Sequence, residues 1–241
     1  ALLEPLDNLY RLYHVLREAR EERGAIDFET TETKIIFSAE RKIEAIIPTE
    51  RNDAHKLIEE CMIAANVCAA KYLDGHKIPA LHRIHDKPDP ERLNDLREFL
   101  AGVGLSLGGG DEPEPADYAQ VMDRIQDRPD RHVIQTVLLR SLSQAQYSPD
   151  TIGHFGLAQT HYAHFTSPIR RYPDLLVHRA IRHVLRGGAA ENFPYDHATM
   201  VTFGEHCSMT ERRADDATRD VTAWLKCEYM QERVGDVFDG V

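Results

Sequence analysis

The chain has 241 residues, 42% of them hydrophobic, enough to bury a sizeable core as one large or two small domains. Its 40 acidic and 29 basic residues give a formal net charge of −11, which excludes a broadly basic nucleic-acid-binding surface and leaves a local channel as the way to hold a polyanion. No apolar run approaches the eighteen or so residues that span a bilayer, and the four cysteines, at 61, 68, 207 and 227, show no CxxC or zinc-type spacing, so a soluble, cytoplasmic chain is expected, with Cys61 and Cys68, seven apart on one apolar helix face, as reduced core residues.

In chain order, Leu2, Leu6, Leu9, Tyr13 and Leu16 stand at helical spacing, and Gly24 is a fitting C′ stop. AIDFET, TKIIFSA and KIEAIIPT alternate β-branched and apolar residues, the pattern of a small antiparallel meander. Asn52 or Asp53 caps a second long helix, ended by Gly75, whose buried stripe reads as Leu57, Ile58, Cys61, Met62, Ala65, Cys68, Ala69 and Tyr72. ALHRIH predicts a strand, ERLNDLREFLAG a helix and GLSLGGGDEPEP a surface loop whose acidic residues would repel a phosphate from the glycine run. Further helices are expected at about 116–126 and 130–146, at 168–186 with a kink at Pro173, and from Asp196 to Arg233. On the last of these, Glu211 with Asp215 and Arg212 with Asp216 suit a partly solvated face. The fold class is α+β, mostly helical with a small antiparallel sheet.

The most informative stretch is HYAHFTSPIRRYPDLLVHR, residues 161–179. Thr166 or Ser167 reads as an N-cap and Pro168 as the first helical residue, which puts Arg170 and Arg171 in a first turn where the macrodipole disfavours cations. A phosphate would be held there by backbone N–H groups, the Ser167 hydroxyl and two guanidinium forks; the alternative is pairing of the arginines with Asp174 or another carboxylate. His154, His161 and His164 invite a metal reading, but their Gly-rich, aromatic surroundings favour structural histidines. His85-Asp86 raises a phosphohydrolase reading that a strand-end position followed by Lys87-Pro88 weakens.

YAHFTSPIRRYPDLLVHRAI resembles the signature of the RNB catalytic domain of the ribonuclease II/R family. NDAHKLIEECMIAANVCAA, RIHDKPDPERL, DRPD, LLRSLSQAQYSPD, GHFGLA and CSMTERRADDATRDVTAWLKCEYM resemble its ribonuclease R form, in the same order, so the similarity covers nearly the whole chain. The resemblance implies a monomeric 3′→5′ exoribonuclease that hydrolyses single-stranded RNA to nucleoside 5′-monophosphates with magnesium, in RNA degradation and turnover. Residues 1–234 match the C-terminal two-thirds of the RNB domain, and 235–241 the start of an S1-type OB domain. The family's magnesium-binding aspartate cluster, of the form DxxDFDD, lies upstream of the segment matching Ala1, and no such motif occurs in the chain. The resemblance therefore implies an inactive isolated piece with an apolar face open to association. The rival is a non-catalytic RNA- or partner-binding module.

By the same resemblance Arg170 binds the phosphate near the scissile bond, where a bidentate, always charged guanidinium suits developing negative charge. Arg171, pointing about 100° further round a helix, is as well read as a structural ion pair. Glu59 matches a position that contacts a terminal ribose, where a carboxylate accepts from the 2′-OH; its alternative is a solvated helix glutamate, as Glu60 is read. Asn66 lies on nearly the same face as a polar neighbour. Phe28 matches an aromatic that stacks on 3′-terminal bases, against the plainer reading of a core aromatic. Thr218 departs from ribonuclease II, where the matching position holds a glutamate.

Overall fold

The computed structural model describes residues 3–28, 32–40, 42–49 and 51–238. Helix α1 (Leu3–Glu22) precedes a hairpin of β1 (Glu32–Phe37) and β2 (Ile43–Thr49), followed by α2 (Asp53–Gly75), β3 (His82–Ile84), α3 (Pro90–Gly102), α4 (Pro115–Arg124) and α5 (Arg131–Ser141). Strand β4 (Gln146–Ser148), α6 (Tyr172–Leu185) and α7 (His197–Gln231) complete it. The strands form two separate antiparallel ladders, β1 with β2 and β3 with β4, so the α+β, mainly helical class holds.

Local chemistry sets the helix starts. Asn52 caps α2, accepting from the His55 N–H at 3.2 Å while the His55 ring accepts from the Asn52 N–H, and Asp196 caps α7 through the Thr199 N–H at 2.8 Å. Two cores then organise the helices. The first joins Ala69 and Leu73 of α2, Leu81, Tyr147 of β4, Leu176 and Val177 of α6 and Met200 of α7. The second joins Leu96 and Leu100 of α3, Tyr118 and Val121 of α4, Ile134 and Leu138 of α5, with Ile26 and Phe155. Gly204 brings α7 against β4: a Cβ there would lie 2.5 Å from the Tyr147 carbonyl oxygen.

Several expectations are corrected. AIDFET is not a strand, since residues 25–28 follow α1 without joining a ladder and 29–30 lie outside the described residues. Helix α5 stops at Ser141 rather than 146, because Gln146, Tyr147 and Ser148 pair with β3 and pack on α7. Helix α6 begins at Tyr172 and has no break at Pro173, which sits in its first turn where a missing N–H costs nothing. The buried stripe of α2 is turned about the axis to Glu60, Ile63, Asn66, Ala69, Ala70 and Leu73; Ile58 and Cys68 are exposed and Cys61 is half-buried. Glu60 is buried, paired with Arg20 at 2.9 Å. Glu211 turns to Arg83, and Asp216 pairs with Arg219 rather than Arg212. Of the expected closing strand, 235–238 has no ladder partner and 239–241 lies outside the described residues.

Along α1, Leu3, Leu6, Leu9, Tyr10, Leu12 and Val15 are exposed, so only its Tyr13 and Arg20 side is packed. Among the described residues no helix is long and apolar enough to cross a membrane.

Candidate nucleic-acid interface

The segment from His161 to Arg171 is irregular backbone fastened from three elements. The Arg83 N–H of β3 donates to the Tyr162 carbonyl at 2.8 Å. From α2, buried Asn66 donates through Nδ2 to the Tyr162 hydroxyl at 3.0 Å and accepts at Oδ1 from the Phe165 N–H at 2.9 Å. From α6, His178 donates through Nε2 to the Phe165 carbonyl at 2.9 Å and stacks on the Phe165 ring with centroids 4.3 Å apart. Asp174, wholly buried, accepts from the Ser167 N–H and from Arg171 Nε and Nη2, each at 2.8 Å.

These bonds hold residues 167–171 as a tight turn, with the Arg170 and Arg171 N–H groups returning to the Ser167 carbonyl at 3.3 and 3.1 Å. Ile169, 102% exposed, forms its apex, and Arg170 beside it faces solvent. The arginines therefore stand on a turn ahead of α6, not in its first helical turn, and Ser167 is not the helix cap. Arg171 is the N-cap residue, its guanidinium spent on Asp174, so the structural alternative applies to it.

A third arginine completes the cluster. Arg83 lies 4.7 Å from the Tyr147 ring centroid and donates to Glu211 at 2.6 Å. Burial first, then the charges of Arg171, Arg83, His154 and Arg170, push His164 down to about 3. Its Nδ1 bonds the Tyr147 hydroxyl at 2.8 Å. His154 is likewise pushed down to about 3, by burial, then by His85 and Arg83. Both rings pack edge-on to Tyr162, as neutral components of the wall. Among the described residues, Arg83 and Arg171 are committed to carboxylates, whereas the Arg170 guanidinium makes no hydrogen bond or ion pair.

No hydrogen bond or ion pair joins the other candidates to this turn among the described residues. Glu59 is 42% exposed, bonded to Arg51 and 3.9 Å from Arg20, and its charge raises the Tyr162 hydroxyl pKa in the direction that burial also pushes it. Phe28 packs, half-buried, against the second core, which agrees with its core reading. Thr218 bonds the Ala214 carbonyl at 2.9 Å on the exposed length of α7. His85 accepts the Gly156 N–H at 3.1 Å at Nδ1, Asp86 accepts its neighbour Lys87's, and among the described residues the two belong to no metal-holding group of the kind a phosphohydrolase pair needs. His161 sits 3.4 Å from Asp74. Among the described residues no three His, Cys, Asp or Glu side chains converge closely enough to hold a metal ion. Sequence reasoning passed over Arg83, offered Asp174 as an arginine partner without its bond to the Ser167 N–H, and did not give Asn66 its fastening role. The one sequence signal for Asn66 was an uncharged polar residue inside an apolar helix.

A family profile described as RNB domain matches residues 1–187. The chain is 56% identical to ribonuclease R of Vibrio cholerae over its whole length and covers 30% of that protein. It superposes on the apo form of Mycoplasma genitalium RNase R with a TM-score of 0.91 at 25% identity, covering 98% of this chain and 37% of that one. The same enzyme in complex with ribose-methylated single-stranded RNA gives a TM-score of 0.89 at 26% identity, covering 98% of this chain and 37% of that one. The chain thus spans about 30% of the length of its ribonuclease R relatives, and its fold, its turn of paired arginines and its sequence agree that it belongs to the RNB domain family.

Proposed function

We propose that this chain supplies the phosphate-gripping wall of a 3′→5′ exoribonuclease that acts on single-stranded RNA in the cytoplasm and releases nucleoside 5′-monophosphates. One observation carries the reading: Arg170 stands unpaired on a turn fixed by Asn66, His178 and Asp174, with its positive neighbours neutralised. A fixed, uncommitted guanidinium can take a phosphate bidentately and strengthen that contact as charge builds in the transition state, with no rearrangement of its own support. The Ser167 hydroxyl lies on the same turn, Glu59 offers its carboxylate to a ribose 2′-OH, and the half-buried Phe28 packs on the second core, with stacking on a 3′-terminal base as its other reading.

Magnesium is the cofactor that this reading implies, to activate water and neutralise the leaving oxygen. The described residues of this chain provide no ligand set that fits it, and the reading places the metal-holding carboxylates elsewhere in a polypeptide of the relatives' length. For the same reason a second reading, RNA binding without hydrolysis, suits the chain alone; turnover of single-stranded RNA with and without Mg²⁺ separates the two. The whole polypeptide is read as a monomer that covers the exposed side of α1, with association through that side as the alternative for the isolated chain.

The test is Arg170→Lys in a polypeptide of the relatives' length that carries this segment. The change keeps the charge and removes the fork, so single-turnover hydrolysis falls at least tenfold while RNA affinity changes less than about threefold. Intact hydrolysis in Arg170→Lys, or a larger loss in Arg171→Lys, overturns the assignment.

A further inference from the structure

Beyond the Arg170 turn, α6 carries arginines at 179 and 182 and ends on Arg186 as its C-cap, a spacing that places all three on one face over about 10 Å. They line a cleft of about 440 Å³ between α6 and the segment leading into α7, floored by Phe193, Pro194 and Tyr195 and containing no acidic residue. In a chain of net charge −11, none of their guanidinium groups has an ion pair or hydrogen bond among the described residues; Arg179 lies 6.0 Å from the Tyr172 ring centroid.

An aromatic row joins this cleft to the turn. Tyr172, two residues after Arg170 and 45% exposed, meets Phe203 edge-on at 6.0 Å; Phe203 meets Tyr195 at 5.5 Å, and Tyr195 meets Phe193 at 5.6 Å. Unpaired cations beside ring faces fit a strand of linked phosphates and bases, because each base has a π-face for the rings and each phosphate a charge for an arginine. Phe193, Tyr195 and Phe203 also pack on the first core, so Tyr172 is the ring of the row that is open to a ligand, and an acidic protein segment would use the cations and leave that exposed ring, with Arg179 over it, without a partner.

We propose that this cleft is a second RNA site, in which Arg179, Arg182 and Arg186 grip the backbone of single-stranded RNA some nucleotides away from Arg170 and the Tyr172 end of the row stacks its bases. The choice of RNA rests on the reading of the Arg170 turn given above. A substrate long enough to span both sites is held at two places, so affinity rises with length by effective concentration rather than by any change at Arg170.

The test uses the 241-residue chain, fluorescein-labelled oligouridylates of five and fifteen nucleotides, and anisotropy from 50 to 200 mM salt. In Arg179→Gln/Arg182→Gln/Arg186→Gln, binding of the 15-mer falls at least tenfold and its log–log salt slope becomes shallower by about 2, from three contacts at about 0.7 each. Binding of the 5-mer, held at the turn, changes less than twofold, and Tyr172→Leu weakens the 15-mer at least fivefold. A charge-matched control, Lys71→Gln/Arg140→Gln/Arg213→Gln, leaves the 15-mer within twofold. Equal losses in control and test variants overturn the site as mere net charge. Displacement of the 15-mer by polyglutamate as effectively as by poly(U) overturns it in favour of an acidic protein partner. Loss in Arg170→Ala with full retention in the triple variant overturns the second site alone, and absence of RNA binding by the unmodified chain overturns the Arg170 reading with it.

Discussion

Replacing Asp174 isolates what holds the arginine turn. Its carboxylate is wholly buried and accepts three bonds of 2.8 Å, one from the Ser167 N–H and two from Arg171, whose side chain is 20% exposed. An exposed ion pair would be worth at most about 1 kcal/mol. A pair with one partner at zero exposure behaves differently, because removing the carboxylate strands a cation and an amide that cannot both reach water; that class of change costs about 3–5 kcal/mol. Since the guanidinium retains some access to solvent, Asp174→Ala is expected near the lower end, about 3 kcal/mol. Asp174→Asn, which keeps an acceptor for the Ser167 N–H but loses the charge, should cost about 2 kcal/mol. Urea denaturation followed by circular dichroism gives both values, with an unchanged m-value as the check that the unfolded state is the same. A double-mutant cycle with Arg171→Ala should return a coupling above about 1 kcal/mol. A loss below about 1 kcal/mol in Asp174→Ala, or zero coupling to Arg171, would refute the account of the turn as held by this carboxylate.

Three other outcomes follow from separate contacts. Gly204→Ala forces a Cβ to 2.5 Å from the Tyr147 carbonyl oxygen, and the overpacking should cost about 1–3 kcal/mol; an unchanged melting temperature would count against the close approach of α7 to β4. Asn66→Ala leaves the Phe165 N–H and Tyr162 hydroxyl without their partner, so the Phe165 amide should exchange at least tenfold faster while exchange in the second core is unchanged. His154 and His164, both at about 3, lie below the ordinary histidine value of 6.5, so between these limits the unfolded chain binds more protons. Stability is then fully present above pH 6.5 and falls as pH drops toward 3, by up to about 1.4 kcal/mol per pH unit for each ring. Nuclear magnetic resonance should show both rings unprotonated at pH 5, and titration of either near pH 6.5 would contradict their burial.

What could be read from sequence was local. Asn52, Gly75 and Asp196 mark helix ends because a cap bonds within a few residues of itself, and the apolar alternation of β1 and β2 is likewise a neighbourly signal. The arginine pair was legible as a site, but its local geometry was not. Proline in the first turn fits two registers, and only the Asp174 bonds to Ser167 and Arg171 select the later one. Glu60 read as solvated because its partner, Arg20, lies forty residues away. Asn66 finds its two partners 96 and 99 residues further on, a distance at which no periodicity or spacing argument has any purchase. Strand β4 was absorbed into a helix because three residues beside good helix formers take their conformation from β3 rather than from themselves.

The division of the interior into two clusters has a kinetic meaning. Asn66, Asp174 and His178 all belong to α2 and α6, which pack in the first cluster, while Phe28, α3, α4 and α5 belong to the second. Opening of the second cluster therefore exposes its own amides without releasing any of the side-chain bonds that fix Arg170, and the two halves become separable units of breathing. Loosening on the α3–α5 side would then leave the geometry of the Arg170 turn unchanged, which on the proposed function keeps its grip on phosphate.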